Sequence, residues 1–155
     1  MSDASPAAGQ PLDASAPASD RVRLRRKPMR GRHDRATIDA IIDASVIGTI
    51  SFVHDGQPYG IPTNVWREGD RLYWHGSSAS RMVRAQAKGL PVCLTVTHHD
   101  AVVLARSGFH HSVNYRCVMA YGQARAVTDA QAKLRAMDAF IDRFYPGRTA
   151  ALRPG

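Results

Sequence analysis

From Asp34 onward the apolar positions fall into clear periods. Ile38, Ile41 and Ile42 recur at helical spacing behind Asp34, a residue type that caps helix N-termini, and predict a helix ending near Ser45. "VIGTISFV" (46–53) is rich in β-branched residues and reads as a strand. "HDGQ" then supplies the Asp-Gly pair favoured by two-residue hairpins, so "PYGIPTNVWR" (58–67) should be an antiparallel neighbour. Pro62 restricts that strand to a sheet edge, a strand start or a bulge. "EGD" predicts another hairpin into a third strand carrying Leu72, Tyr73 and Trp74, and a short helix over roughly 78–88 should end at Gly89. "LPVCLTVTHH" reads as a fourth strand, "HD" as a tight turn, "AVVLARS" as a fifth and "YRCVMAYGQARAV" as a long sixth that bends at Gly122. A last helix runs from Thr128 to about Phe144, with Ala130, Leu134, Met137, Ile141 and Phe144 on one stripe and Pro146-Gly147 as its stop. The order of elements predicts a mainly β, α+β domain: a six-stranded antiparallel barrel with flanking helices.

Composition changes the picture only at the N-terminus. "MSDASPAAGQPLDASAPASD" has almost no large aliphatic side chain, so residues 1–20 are expected to be a disordered tail. Residues 21–33 form a basic arm in which Pro28 and Gly31 oppose a continuous helix, leaving 34–155 as the folded domain. The net charge of +8 therefore belongs mainly to the arm. With no interleaved aromatics and no groove-reading element, the arm implies no specific nucleic-acid partner. No run of eighteen apolar residues suggests a membrane span, and the start of the chain does not read as a secretory signal. Cys93 and Cys117 lie in strand-like runs and read as reduced, buried thiols of a cytoplasmic protein.

The candidate chemistry lies where the third strand hands over to a helix, in "DRLYWHGSSASRMVRAQAKG" (70–89). Ser77, Ser78 and Ser80 offer hydroxyl donors, Gly76 permits close backbone approach, and Arg81 can clamp a phosphate bidentately. By itself the pattern is also that of an ordinary capped helix with a solvated arginine.

"GQPYGIPTNVWREGDRLYWHGSSASRM", "VCLTVT", "ARSGFHHSVNYRCVMAYGQA" and "PGR" together resemble the pyridoxamine 5′-phosphate oxidase-like family of FMN-binding split barrels, in its nitroimidazole-resistance-protein-like branch. The resemblance spans about residues 22–153 and implies a six-stranded split β-barrel, a homodimer, and FMN at the subunit interface. It implies that Ile61, Pro62, Thr63 and Asn64 lie along the flavin ring, and that His75 and Gly76 touch the ring and ribityl chain. Ser80 and Arg81 would hold the phosphate, and Arg116 and Cys117 form the pair on the last strand. Met82 stands where the oxidases themselves place a lysine, which speaks against a true pyridoxamine-phosphate oxidase. Family members continue well beyond the "PGR…RP" segment, so the resemblance implies either a shortened C-terminus or an incomplete pocket wall.

His75 is the candidate catalytic residue, an imidazole able to donate to a flavin or relay a proton. His98-His99 reads as a solvated turn. For His110-His111 a place in the flavin pocket or dimer interface and a purely structural role remain open. No set of ligands has the spacing of a metal site. The expected function is an FMN-dependent oxidoreductase that passes electrons from NAD(P)H to a small nitroaromatic or quinone-like acceptor. The alternatives are a non-catalytic flavin store or sensor, and the same barrel holding F420 or haem.

Overall fold

The computed structural model describes residues 16–153. They divide into two compact units, one ending at Ala40 and the other beginning at Ile41. Most of the predicted tail falls on residues 1–15, outside the described residues. In the first unit the basic arm forms only two 3-10 turns, Asp20–Val22 and Pro28–Arg30, with Lys27 in the left-handed region between them. Arg23 and Arg25 both pair with Asp20, at 3.4 and 2.6 Å. Helix α1 (Arg35–Asp43) starts where Asp34 predicted: the Asp34 carboxylate accepts the Thr37 N–H at 2.8 Å. Hydrogen bonding by the Thr37 side chain first, and by its N–H second, holds the carboxyl pKa below its ordinary range.

The second unit is built on one antiparallel sheet in the order β3-β2-β1-β4-β5. Strand β1 (Ile47–His54) meets β2 (Gln57–Glu68) through the predicted Asp-Gly hairpin. Asp55 and Gly56 both have positive φ (51° and 71°), the conformation a two-residue turn of this kind requires. Gly69-Asp70 closes the second hairpin into β3 (Arg71–Trp74). Pro62 is accommodated because β2 pairs with β1 over residues 57–64 and with β3 only over 65–68. At position 62 the strand has a single neighbour, so the missing N–H disrupts no second ladder.

Two predicted strands are one. The "HD" turn does not form, and β4 runs unbroken as Pro91–Val103, paired with β5 (Ser112–Gln123) along its whole length. The polar His99-Asp100 step is a bulge in that ladder, where the register shifts between His99 and Ala101. The described residues thus hold five strands rather than six. His98 is not a solvated turn residue: it is half-buried, with Nε2 2.9 Å from the Ile41 carbonyl.

Ile50, Val65 and Val96 are the most completely buried side chains, in a core that includes Phe52, Met82, Ala85 and Leu94. Helix α2 (Arg81–Gln86) is shorter than predicted and drives Met82 and Ala85 into this core. Helix α3 (Ala130–Phe144) matches the expected span but not the expected stripe. Leu134 is 55% exposed, whereas Ala136 is buried and Phe140 lies 5.0 Å from Trp66, ring to ring. From α3, Arg143 reaches the carbonyls of Ile42, Asp43, Ser45 and Val65. One guanidinium thereby satisfies the backbone at the end of α1 and an acceptor on β2. Among the described residues no helix is long and apolar enough to cross a membrane.

Candidate functional site

Residues directly opposite in an antiparallel ladder share a sheet face. That rule divides the predicted site residues into two groups. Ile61 stands opposite buried Ile50, and Thr63 opposite buried Gly48, so both lie on the core face of β2 with Tyr59, which stacks on Phe52 at 5.3 Å. Pro62 and Asn64 lie on the other face, level with Thr49 and Ile47. Cys117 belongs to that outer face too, opposite Thr97, beside Met119 opposite Thr95. It is exposed, not buried as its apolar run suggested, and Cys93 is half-buried.

The strand-to-helix handover is drawn together by three contacts. Thr63 donates its hydroxyl to the His75 carbonyl at 2.8 Å, fixing the end of β3 against β2. Ser77 turns the chain: its hydroxyl accepts the Ala79 N–H at 3.2 Å and its carbonyl accepts the Ser80 N–H at 2.8 Å. Arg81 donates from Nη1 to the Tyr59 hydroxyl at 3.0 Å, and its guanidinium carbon sits 5.3 Å from the Tyr59 ring centroid. Ser80 occupies the helix N-cap position without a side-chain capping bond, so its hydroxyl is not committed to the helix. Gly76 has a packing role: a Cβ there would come within 3.1 Å of Val83 and 3.3 Å of Met82, so α2 can pack this closely only on a glycine.

Arg81 does not stand alone. An open depression of about 440 Å³ is lined by His54, Arg81, Arg84, Ala85 and Lys88. Residues 81, 84 and 85 share one side of α2 and Lys88 follows just past its end, while Met82 is 3% exposed in the core on another side. A lysine at position 82 would project into the core, so the positive charge around the depression comes from Arg81 and Arg84 on α2 and from Lys88 just beyond it. Sequence reasoning singled out Arg81 alone, although the i, i+3, i+7 spacing of the other two was readable. His54 and Tyr59, which come from the β1–β2 hairpin, carried no local signal.

Other predicted residues lie elsewhere. The His75 ring is exposed and leans on Trp66 (6.1 Å) and Phe140 (5.5 Å), and among the described residues its nitrogens have no hydrogen-bond partner. Arg116 pairs with Asp100 at the β4 bulge, from Nη2 at 2.8 Å and Nε at 3.0 Å. The Arg116 hydrogen bond holds the Asp100 carboxyl pKa below its ordinary range. His110 and His111 share a 3-10 turn organised by Ser107. The Ser107 hydroxyl lies 2.6 Å from His110 Nδ1, and its carbonyl accepts from His111 Nδ1 at 3.1 Å. Among the described residues no three His, Cys, Asp or Glu side chains gather as a metal site would require.

An antiparallel sheet with helices against it and a cationic depression beside one hairpin defines a small, mainly β domain. The family model described as pyridoxamine 5′-phosphate oxidase matches residues 34–155, and the chain belongs to that family. The flavocytochrome Anf3 from Azotobacter vinelandii is 39% identical over 88% of this chain and 64% of its own, with a TM-score of 0.83. An FAD and heme binding protein from Mycobacterium smegmatis is 41% identical over 79% of this chain and 59% of its own, with a TM-score of 0.74. The chain thus spans about three fifths of the length of each. A candidate 5-nitroimidazole antibiotic resistance protein from Bacteroides thetaiotaomicron shares the fold at 22% identity, covering 72% of this chain and 66% of its own, with a TM-score of 0.61. No curated protein matches the chain.

Proposed function

We propose that this chain is a flavin-binding oxidoreductase domain, residues 34–155, that holds an FMN moiety between β2 and α2 and passes electrons from NAD(P)H to a small nitroaromatic or quinone-like acceptor. The observation that carries the reading is Arg81, braced by Tyr59 at the mouth of a cationic depression. Its fork of N–H donors suits a phosphate, and the uncommitted hydroxyl of Ser80 adds another donor. The donor set therefore fits the group. Thr63 fixes the His75-Gly76 backbone where the ribityl chain would pass. When bound, the flavin supplies the electron transfer itself. His75, with free ring nitrogens, is assigned the proton. Met82 in the core supports a role other than pyridoxamine-phosphate oxidation.

A second copy of the chain is part of the proposal. The outer sheet face exposes Ile47 (59%), Met119 (53%), Tyr115 (58%) and Val113 (49%), large apolar side chains of the kind that interfaces cover. Pro62, Asn64 and Cys117 lie on that face, which supports a homodimer formed through it. The unpaired thiols Cys93 and Cys117 support a reducing, cytoplasmic setting.

A second reading adds haem, as in the two relatives about 40% identical. It is favoured by His111. A carbonyl can only accept, so the Ser107 contact fixes the proton on Nδ1 and leaves Nε2 as a free lone pair, the arrangement typical of a metal-bound imidazole.

The test is the visible spectrum of the purified chain after incubation with flavin and with haem. Flavin bands that bleach with NADH or NADPH and return on adding a nitroimidazole or quinone support the enzyme. Bands that never bleach leave a flavin store, and a colourless protein refutes the proposal. A Soret band that shifts in His111→Ala supports the second reading.

A further inference from the structure

We infer that the electron donor of this site is NADPH and not NADH, with Arg84 and Lys88 binding the phosphate on its adenosine 2′-oxygen. This rests on the flavin reading above and gives a ligand to the two cations that the flavin phosphate leaves over. One forked guanidinium with a neighbouring hydroxyl is a sufficient set of donors for that flavin phosphate, and Arg81 with Ser80 supplies it.

Arg84 and Lys88 line the same depression as Arg81. Arg84 follows Arg81 by three residues on α2, about 4.5 Å further along the helix axis. Lys88 stands beyond the helix, in the turn that closes it. Its N–H donates to the Ala85 carbonyl at 3.3 Å, and Gly89, with a φ of 81°, takes the chain onward. The depression is thus offered a planar fork from the helix and a compact ammonium from the turn, the two cationic groups that bind phosphate. Both residues are exposed, and among the described residues neither has a carboxylate within ion-pairing distance. The depression, of about 440 Å³, has room for more than a lone phosphate.

NADH and NADPH differ only at the adenosine 2′-oxygen, a hydroxyl in one and a phosphate in the other. A carboxylate accepts a hydrogen bond from the hydroxyl and repels the phosphate, whereas an arginine attracts the phosphate. The lining contains no Asp or Glu, only His54 and Ala85 beside the three cations. Asp55 is no substitute: its carboxylate lies 3.4 Å from His54 Nε2, its side chain is 86% exposed, and it does not line the depression. The 2′-phosphate also lies away from the nicotinamide carbon that gives up the hydride, so it needs an anchor apart from the reacting rings. Its recognition therefore shows in binding and in KM, with kcat held.

Calorimetric titration of the flavin-loaded full chain with 2′,5′-ADP, the adenosine end of NADPH, and with 5′-AMP, the same end of NADH, tests this. The chain and its Arg84→Ala, Lys88→Ala and double variants are compared. The expected result is 2′,5′-ADP binding about tenfold or more tighter than 5′-AMP, with each single substitution weakening 2′,5′-ADP several-fold and the double variant losing the preference. Binding of 5′-AMP should stay within about twofold throughout, and the KM for NADPH should rise by the same factor as the 2′,5′-ADP dissociation constant. Bound flavin shows that each variant has folded. No binding of 2′,5′-ADP, equal affinities for the two nucleotides, losses that fall alike on both, or a preference that survives the double substitution overturn the inference and leave the flavin reading standing. Failure of the unmodified chain to bind flavin overturns that reading, and this inference with it.

Discussion

Replacing Arg143 by alanine removes the guanidinium that hydrogen-bonds α3 to the end of α1 and to β2. The guanidinium donates to the Val65 carbonyl from Nη1 at 3.2 Å, and from Nη2 to Ile42 at 3.2 Å, Ser45 at 2.9 Å and Asp43. Burial is the main influence on its pKa and lowers it, Asp43 opposing and Arg67 adding to the shift; an arginine nonetheless stays charged at neutral pH. A hydrogen bond from a charged donor contributes about 1.5–3 kcal/mol, but four bonds from one group do not add, and water reaches the Asp43 carbonyl when the side chain is gone. One to two bonds' worth, about 3–5 kcal/mol, is the expected loss, a large share of the roughly 5–15 kcal/mol that holds a domain folded. In a chain of this size that lowers Tm by about 10 °C. Urea unfolding followed by circular dichroism should show the midpoint falling with the slope unchanged. Arg143→Lys keeps the charge but not the fork, so it should recover less than half of the loss. An Arg143→Ala protein within about 1 kcal/mol of the parent would refute the idea that these carbonyls depend on the guanidinium.

Trp74 donates its indole N–H to Gln86 at 2.9 Å, and Gln86 is 3% exposed; Trp74→Phe leaves the Gln86 amide buried without a partner and should cost about 1–3 kcal/mol in the same unfolding experiment. The Asp142 carboxylate accepts the Thr149 hydroxyl at 2.6 Å and N–H at 2.9 Å, and these bonds lower its pKa. A carboxyl whose folded pKa is depressed stabilises the protein above its unfolded value, and the contribution is lost as pH falls through the folded value. Asp142→Asn should therefore lower the urea midpoint near pH 7 and flatten its acid decline; an unaltered pH profile contradicts the assignment.

Local signals carried the fold wherever the chain turns on its own chemistry. Asp55-Gly56 and Gly69-Asp70 formed their hairpins, and Asp34 capped α1. Expectations failed where partners distant in sequence decide. His99-Asp100 looked like a turn, but a long β5 and the Arg116–Asp100 pair carry β4 through it as a bulge. On α3 the large apolar side chains suggested a stripe through Leu134, whereas close approach selects Ala136 and lets Phe140 reach Trp66. Within the candidate site, Arg81 was legible because a serine-rich turn preceded it. Its brace, Tyr59, and its neighbour His54 come from a hairpin more than twenty residues away and announce nothing in the sequence.

Arg81 is the proposed anchor of the flavin phosphate. Flavin titration of the full chain and of Arg81→Ala, followed by fluorescence, tests it most directly. The expected result is saturable binding by the parent and a loss of about 10- to 100-fold in affinity in the variant, the worth of one charge-assisted contact. Unchanged affinity in Arg81→Ala would contradict it.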